Sequence, residues 1–397
     1  MPCTIANTTS SFIAMSGSGR TTLSPTSAPP KSKLLLPASC DPPGPQNPQR
    51  QLAWVVFGAT GHIGRSIVKA ALSHGDLVTA VGRTYADSIP TMHSWLSAPR
   101  SPPSSSSPPD ASSPITPSQN YLPLLCDVRV RETVDAVVKT SISHWTRIDI
   151  IVNCSGYGVI GACEDQDEFE IRNQFETNFW GTLNIIQLTL PYFRERFIQT
   201  GEGGRYLILS STGGALGVPG LGPFCATKYA VEGLIESMLY EVDAFNIKAT
   251  LVEPGHVRRD EPGTSTTLPT FGHFSITPAS EPYAAATAPA GHAKRMVQWL
   301  GDRQPTSVVK VAELVWQLAH CSFPPLRLLL GSFAVESVRD RLRCVIEEIE
   351  DWKFLSFGED GAGSGKGDKS DGDDNADVKY EKDVKMEDDG EGEDISS

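Results

Sequence analysis

Residues 52–64 read LAWVVFGATGHIG, an apolar run that leads directly into the glycines Gly58, Gly61 and Gly64. An apolar run, a glycine loop and a following amphipathic stretch are typical of the first strand, turn and helix of a βαβ unit. In that setting the loop brings backbone N–H groups and a helix N-terminus against a diphosphate. A tight strand-to-helix turn without a ligand would use the same glycines and is the alternative interpretation.

Short apolar runs continue to alternate with amphipathic stretches after this loop, which predicts helices in the intervals between strands. We predict seven strands, at Leu52–Phe57, Leu77–Val81, Tyr121–Leu125, Ile148–Val152, Arg205–Leu209, Lys248–Val252 and Leu326–Leu330. This order predicts an α/β fold, a Rossmann-type doubly wound parallel sheet in a single domain. Its ligand crevice should lie beyond the carboxyl ends of the strands.

Three stretches have a composition that cannot bury enough apolar surface to fold. Residues 1–50 are rich in Ser, Thr and Pro, 98–118 form a Pro/Ser tract, and 358–397 are rich in Gly, Asp, Glu and Lys. We therefore expect a disordered N-terminal extension, a domain at 51–357 with an insertion at 98–118, and a disordered acidic tail. The Ser/Thr-rich N-terminus also fits an organellar transit peptide, which stays open as an alternative.

Charge and cysteine content restrict the classes of partner. The chain carries a net charge of −13, but the tail holds fifteen acidic and five basic residues, so the remainder is only −3. This near-neutral body offers no footprint for nucleic acid, and no apolar run approaches the roughly 18 residues of a membrane span. Because the eight cysteines form no CxxC pair, we expect a reducing compartment, the cytoplasm.

A second informative stretch comprises SSTGG at 210–214 and FCATK at 224–228. Ser211 lies thirteen residues before Phe224, and Lys228 lies four residues after it. This spacing resembles the active-site segment of the short-chain dehydrogenases/reductases, especially fungal-type members, except that the family has Tyr where this chain has Phe224. The resemblance extends over roughly residues 52–356 and includes CDV at 126–128, NCSG at 153–156, FETNFWG at 175–181 and EPGHV at 253–257.

The resemblance implies a nicotinamide cofactor, a small-molecule carbonyl or alcohol substrate and no metal ion. In the family, a hydride reaches a carbonyl carbon while Tyr protonates the oxygen, Lys binds ribose, Ser holds the carbonyl and Asn steadies Lys through a water. The implied catalytic residues are Asn178, Ser211 and Lys228. The implied cofactor-binding residues are Gly58, Gly61, Ile63, Gly64, Arg83, Asp127, Asn153, Gly156, Lys228, Pro254, Gly255 and Val257.

Phe224 has no hydroxyl, so this chain lacks the family's proton donor. General acid catalysis contributes about 10²–10⁴-fold, and we expect a slow reaction unless another group donates. His256, Ser211 or a water on Lys228 are candidates, whereas Tyr229 lies about 140° around the helix from position 224 and should face elsewhere. Two functions therefore stay open: an oxidoreductase acting on a ketone or secondary alcohol, and an inactive cofactor-binding protein with a regulatory or scaffolding role.

Cofactor choice is predicted from the end of the second strand. Arg83 follows Gly82, and the first acid after it is Asp87. An acid at this strand end would bind the ribose hydroxyls of NAD, whereas Arg can pair with the 2′-phosphate of NADP. We therefore expect NADP(H) in preference to NAD(H). By analogy with the family, residues 258–300 should cover the substrate, and the long helices at 169–199 and 224–246 should support a homo-oligomer.

Overall fold

The computed structural model describes residues 34–97, 119–258, 273–300 and 306–356. Several predicted segments lie outside the described residues. They are the N-terminal extension up to residue 33, the Pro/Ser tract at 98–118, residues 259–272 of the predicted substrate loop, and the acidic tail. The chain divides into two compact units, Met1–Arg343 and Cys344–Ser397. In the second unit the described residues form the last turns of a helix and a 3₁₀ turn at Lys353–Ser356.

The central sheet has seven parallel strands, which confirms the predicted fold class. Its order is β7-β6-β5-β4-β1-β2-β3. The strands are β1 Ala53–Phe57, β2 Leu77–Arg83, β3 Tyr121–Cys126, β4 Ile150–Asn153, β5 Arg205–Leu209, β6 Lys248–Pro254 and β7 Arg327–Leu330. Strand order reverses between β1 and β4, and an open parallel sheet forms its ligand crevice at such a point.

Nine helices accompany the sheet in the described ranges. They are α1 His62–Ser73, α2 Ile89–Ser97, α3 Arg131–Trp145, α4 Glu168–Phe175, α5 Gly181–Thr200, α6 Gly222–Val242, α7 His292–Leu300, α8 Val308–His320 and α9 Ser332–Trp352. None of these helices combines the length and apolar character that a bilayer crossing requires.

Two apolar layers cover the faces of the sheet, and β1 contributes alternate residues to each. Trp54 and Val56 belong to the core that includes α1 and α8, whereas Val55 and Phe57 belong to the core that includes α3, α5 and α6. All five residues of β1 are buried. A central parallel strand covered by helices on both faces is apolar throughout, which explains the unbroken run in the sequence.

The predicted helix at 169–199 is interrupted. A π-helical turn at Glu176–Trp180 separates α4 from α5, and Asn178 lies buried within it. Gly181 follows at a tight contact, since a Cβ there would lie 2.7 Å from Cγ2 of Val128. Such wide turns occur often at functional sites because they redirect individual side chains. Here the turn directs Asn178 towards the carboxyl end of the sheet.

Residues 34–50, which the sequence assigned to the N-terminal extension, include side chains that pack on the domain. Leu36 and Cys40 are buried, and the backbone N–H of Leu36 donates to Oε1 of Gln317 at 3.1 Å. Gln317 Nε2 in turn donates to the carbonyl of Leu34 at 2.8 Å. The local composition is poor in apolar residues, but α8 supplies a surface on which these few can be buried.

Gln317→Ala tests this docking. The change leaves the buried N–H of Leu36 without its acceptor, so we expect the free energy of unfolding to fall by about 1–3 kcal/mol. Urea denaturation measures the loss. Gln49→Ala is the control, because Gln49 makes an exposed bond to the carbonyl of His74. Equal stability of the two variants would show that the segment contributes little.

Candidate active site

The glycine loop after β1 requires glycine at two positions, because other backbone atoms approach the loop closely there. Gly58 has a φ of +72°, and a Cβ on it would lie 2.7 Å from the carbonyl carbon of Cys154. A Cβ on Gly64 would lie 2.3 Å from the carbonyl oxygen of Gly58. Only glycine fits these two positions, so the loop, the start of α1 and the segment after β4 pack backbone against backbone.

The N-terminus of α1 is open to an anion. Gly61 is the N-cap residue, and no side chain caps the helix. The first N–H groups of a helix lack partners within the helix, and they carry the positive end of its dipole. The loop and this terminus therefore fit the diphosphate of a dinucleotide, because nothing larger than hydrogen projects from the glycines into the space beside them.

A cavity of about 260 Å³ opens at the carboxyl ends of β1, β4, β5 and β6. Most of the predicted site residues lie on its wall: Gly58, Gly61, Ile63, Gly64, Gly156, Ser211, Phe224, Lys228, Pro254, Gly255 and Val257. α7, which the sequence assigned only to a substrate loop, closes the cavity with Ala293, Met296 and Val297. One space thus borders the glycine loop and two of the three predicted catalytic residues, Ser211 and Lys228, whereas Asn178 does not line it.

The structure places Asn153 and Asp127 outside the cavity wall. Asn153 bridges neighbouring segments, since its Nδ2 donates to Thr182 at 2.9 Å and its Oδ1 accepts from the backbone N–H of Ser155 at 2.9 Å. The carboxylate of Asp127 pairs with Arg129 at 2.6 Å. The hydrogen bonds from Arg129 hold the pKa of Asp127 below its ordinary value. Both side chains organise the loops that border the cavity.

Lys228 and Asn178 meet beside Gly156. A Cβ on Gly156 would lie 3.0 Å from Oδ1 of Asn178 and 3.6 Å from Nζ of Lys228. Asn178 is bound to the backbone of Tyr157, donating to its carbonyl at 2.8 Å and accepting from its N–H at 3.0 Å. Lys228 Nζ donates to the carbonyl of Leu209 at 3.0 Å, and burial lowers the Lys228 pKa to about 8.

Ser211 stands at the end of β5 with its hydroxyl on the cavity wall. Its Oγ accepts a hydrogen bond from the backbone N–H of Gly213 at 3.2 Å. A hydroxyl that accepts through its oxygen can still donate its hydrogen. The Ser211 hydroxyl can therefore still donate to an oxygen atom of a bound molecule.

Phe224, which the resemblance assigns to the position of the family's Tyr, is buried, with 1% of its surface exposed. Its ring centroid lies 5.3 Å from that of Phe274 and 5.9 Å from that of His273. Nζ of Lys228 lies 5.7 Å from the same centroid, within the range of a cation–π contact. An apolar ring thus lies beside the Lys228 amine at this part of the cavity wall.

The candidate substitute donors are placed differently from one another. His256 lines the cavity, its Nε2 lies buried without a hydrogen-bond partner, and burial together with His292 lowers its pKa. Tyr229 is 45% exposed, in agreement with the geometric argument that it faces elsewhere. The neutral form of His256 is therefore favoured near pH 7, which makes it a hydrogen-bond donor and a weak acid.

Sequence reasoning missed His273. Its imidazole lines the cavity against Phe224, and removal from bulk water lowers its pKa. His62 and His292 also line the cavity, so its wall holds imidazoles and one lysine but, among the described residues, no carboxylate. The aromatic cluster at 271–274 was the only sequence signal, and it did not indicate which face of the loop meets the cavity.

In the structure, the carboxylate of Asp87 lies at the end of β2, beside Arg83. The turn after Arg83 folds Asp87 back, so that its Oδ2 accepts from the backbone N–H of Arg83 at 2.6 Å and from Thr60 Oγ1 at 2.9 Å. Nε of Arg83 lies 3.6 Å from the same oxygen. The strand end therefore carries an Arg–Asp pair, whereas sequence spacing had predicted an Arg without a nearby acid.

Comparisons with known proteins agree with this geometry. A family profile described as short chain dehydrogenase matches residues 111–265. An oxidoreductase of Botryotinia fuckeliana, BOA17, is 29% identical over 304 residues, covering 77% of this chain and 97% of the relative. A short-chain dehydrogenase structure from Streptomyces avermitilis is 28% identical with a TM-score of 0.62, covering 77% of this chain and 98% of that protein.

Two further solved structures share the fold at lower identity. A short-chain dehydrogenase/reductase of Burkholderia phymatum in complex with NAD is 16% identical, has a TM-score of 0.55 and covers 75% of this chain and 95% of its own. ElxO with NADP bound is 17% identical, has a TM-score of 0.52 and covers 72% of this chain and all of its own.

Gly64→Ala tests the backbone packing at the loop. The new methyl group would lie 2.3 Å from the carbonyl oxygen of Gly58, and we expect the free energy of unfolding to fall by about 2 kcal/mol or more. Gly61→Ala is the matched control, because its methyl group would meet the same oxygen at 3.4 Å. Urea denaturation of both variants should rank them in this order, and equal losses would contradict the packing argument.

Proposed function

We propose that the chain, which resembles the short-chain dehydrogenases/reductases in sequence and fold, is a member of that family and an oxidoreductase transferring a hydride between NADP(H) and a ketone or secondary alcohol. The observation that carries the proposal is the single cavity bordered by the glycine loop on one side and by Ser211 and Lys228 on the other. NADPH, when bound, supplies the hydride. The predicted cytoplasmic location, the homo-oligomer and the absence of nucleic-acid binding stay predictions.

The cavity wall supports an uncharged and moderately apolar substrate. Val218, Leu221 and Phe274 lie beside Phe224, and α7 adds further apolar side chains. Apolar walls with a few convergent polar groups are typical of small-molecule sites. Ser211 would donate to the carbonyl oxygen and hold it beside Lys228, while the apolar walls exclude water.

Proton delivery is the step that Phe224 weakens. The Lys228 ammonium has a pKa of about 8, lowered by burial, which makes it a better acid than an exposed lysine. We propose that Lys228, directly or through a water, supplies the proton, with Ser211 orienting the acceptor oxygen. This route lacks the short contact that a Tyr hydroxyl provides, so turnover should be slow.

An inactive cofactor-binding protein is the second candidate function. The packing of Phe224 favours it, because the ring is enclosed between Phe274 and His273 with 1% of its surface exposed. In that case the cofactor would support a regulatory or scaffolding role. Replacing Phe224 with Tyr distinguishes the oxidoreductase from the inactive binding protein.

Phe224→Tyr is expected to raise NADPH-dependent carbonyl reduction by at least about tenfold, because the restored general acid is usually worth more than that. Turnover is measured over a panel of apolar ketones, together with NADPH affinity. Phe274→Tyr, a hydroxyl on the neighbouring ring, is the control and should give no gain. If neither variant reduces any ketone while NADPH binds normally, the inactive binding protein is favoured.

Arg83 supports a preference for NADP(H), whereas Asp87 beside it favours NAD(H), so the preference should be adjustable in both directions. Arg83→Ala removes the cation and leaves the Asp87 carboxylate, so the ratio of NADP to NAD affinity should fall. Asp87→Asn removes the acid and leaves Arg83, so the ratio should rise. Calorimetric titration of both cofactors measures the ratio. Equal affinity of the intact protein for NADP and NAD would overturn the preference.

A further inference from the structure

Behind the cavity wall lies a cluster of charged side chains, which we call the Glu232 cluster: Glu232 on α6, Glu253 on β6 and Arg327 on β7, whose side chain is 37% exposed. Glu232 is 3% exposed and Glu253 is fully buried. Arg327 donates to Oε2 of Glu232 and, at 2.9 Å, to Oε1 of Glu253. The cluster thus joins a helix to the two strands at one edge of the sheet.

The cluster also contacts the segment that carries Ser211. The hydroxyl of Ser210 donates to Oε1 of Glu232 at 2.5 Å. A Cβ on Gly214 would lie 1.8 Å from the same oxygen, so the backbone after Ser211 closes directly on the carboxylate. Both oxygens of Glu232 are therefore fixed, one by Ser210 and the other by Arg327.

Stability alone gives little reason for this cluster. Removing a carboxylate from water is costly, and apolar replacement of a buried ion pair is often neutral or stabilising. Glu253 increases the cost, because its Oε2 is buried without a hydrogen-bond partner. Burial, with a contribution from Glu232, raises the Glu253 pKa to about 7. The position of the cluster beside Lys228 suggests its purpose.

Glu232 follows Lys228 by one turn of α6, and residues four apart share a helix face. The other titratable groups that act on Lys228 are Cys154 from the loop after β4 and His273 from the segment before Phe274–Ile276. Burial raises the pKa of the Cys154 thiol to about 12 and lowers that of His273, so both are neutral near pH 7. Lys228 donates to the carbonyl of Leu209, and Glu232 accepts from the hydroxyl of the next residue, Ser210, so the two side chains meet the end of β5 at adjacent positions. Glu232 is the carboxylate that acts on Lys228.

We propose that Glu232 is a positioning residue for Lys228: fixed by Ser210 and Arg327, its carboxylate keeps the Lys228 amine charged within the apolar cavity wall. Burial acts in the opposite direction, since it favours the neutral amine. The proposal extends the proposed function by explaining how Lys228 retains the proton it would deliver. It concerns the state of Lys228 in the free protein and does not require turnover.

The test measures the ionisation of Lys228 directly in the full-length protein. A trace of acetic anhydride acetylates neutral amines, and mass spectrometry of the Lys228 peptide follows the rate from pH 6 to 10. The wild-type midpoint should lie near 8, the Lys228 pKa. Glu232→Gln retains the burial and removes the charge, so the midpoint should fall by roughly one pH unit, as expected when a nearby opposite charge is lost.

Glu236→Gln is the matched control. Glu236 also accepts from Arg327, at 3.3 Å, but it is about half exposed. The Lys228 labelling midpoint in Glu236→Gln should equal the wild-type value, since an exposed charge is screened. The labelling midpoint of Lys248 in the same samples reports whether the surrounding fold is unchanged.

Glu232→Asp keeps the charge on a shorter side chain and should give an intermediate midpoint, which provides a second variant should Glu232→Gln not fold. An unchanged Lys228 midpoint in Glu232→Gln would overturn the proposal, as would an equal shift in Glu236→Gln. If Glu232→Gln does not fold, a wild-type midpoint in Glu232→Asp overturns it. Labelling needs no substrate, so the Lys228 midpoint can be measured even if the protein has no activity. Absence of turnover would contradict the proposed function but not the role of Glu232.

Discussion

The backbone contact between the glycine loop and its neighbours is the constraint on which the site depends. Gly58 packs against the carbonyl of Cys154, and Gly64 packs against the carbonyl of Gly58, at distances that no side chain tolerates. These contacts place α1 and the loop after β4 side by side at the point where strand order reverses. The cavity exists because β1 and β4 are neighbours there while their following segments diverge to opposite faces.

Enclosure then determines the electrostatics of the cavity. A wall of glycines, apolar side chains and imidazoles shields Lys228 from water, which lowers its pKa to about 8. The same shielding keeps His256 and His273 in their neutral forms. Charge within the site is therefore concentrated on Lys228, and the carboxylate that acts on it, Glu232, lies behind the wall.

Phe224 connects the packing of the site to its chemistry. Its ring is buried against Phe274 and faces the Lys228 ammonium, so this part of the wall is well packed without a hydroxyl. If Phe224 stands where the resemblance implies a Tyr, the missing hydroxyl is a missing proton donor but leaves no hole in the packing. The surrounding groups keep their places because Asn178 is bound to Tyr157 and Ser211 to the Gly213 N–H.

The sequence by itself determined the seven strands, their alternation with helices, the glycine loop and the Ser211, Phe224 and Lys228 spacing. These features depend on local periodicity and on residues close together in the chain, which a single sequence displays. Only the tertiary structure decided which distant residues meet. It brought Arg327 to Glu232 across 95 positions, returned Asp87 to the end of β2, placed His273 against Phe224 and docked Leu36 on α8. Such contacts leave no periodic signal, and the pKa values at the site follow from burial, which exists only once the chain is folded.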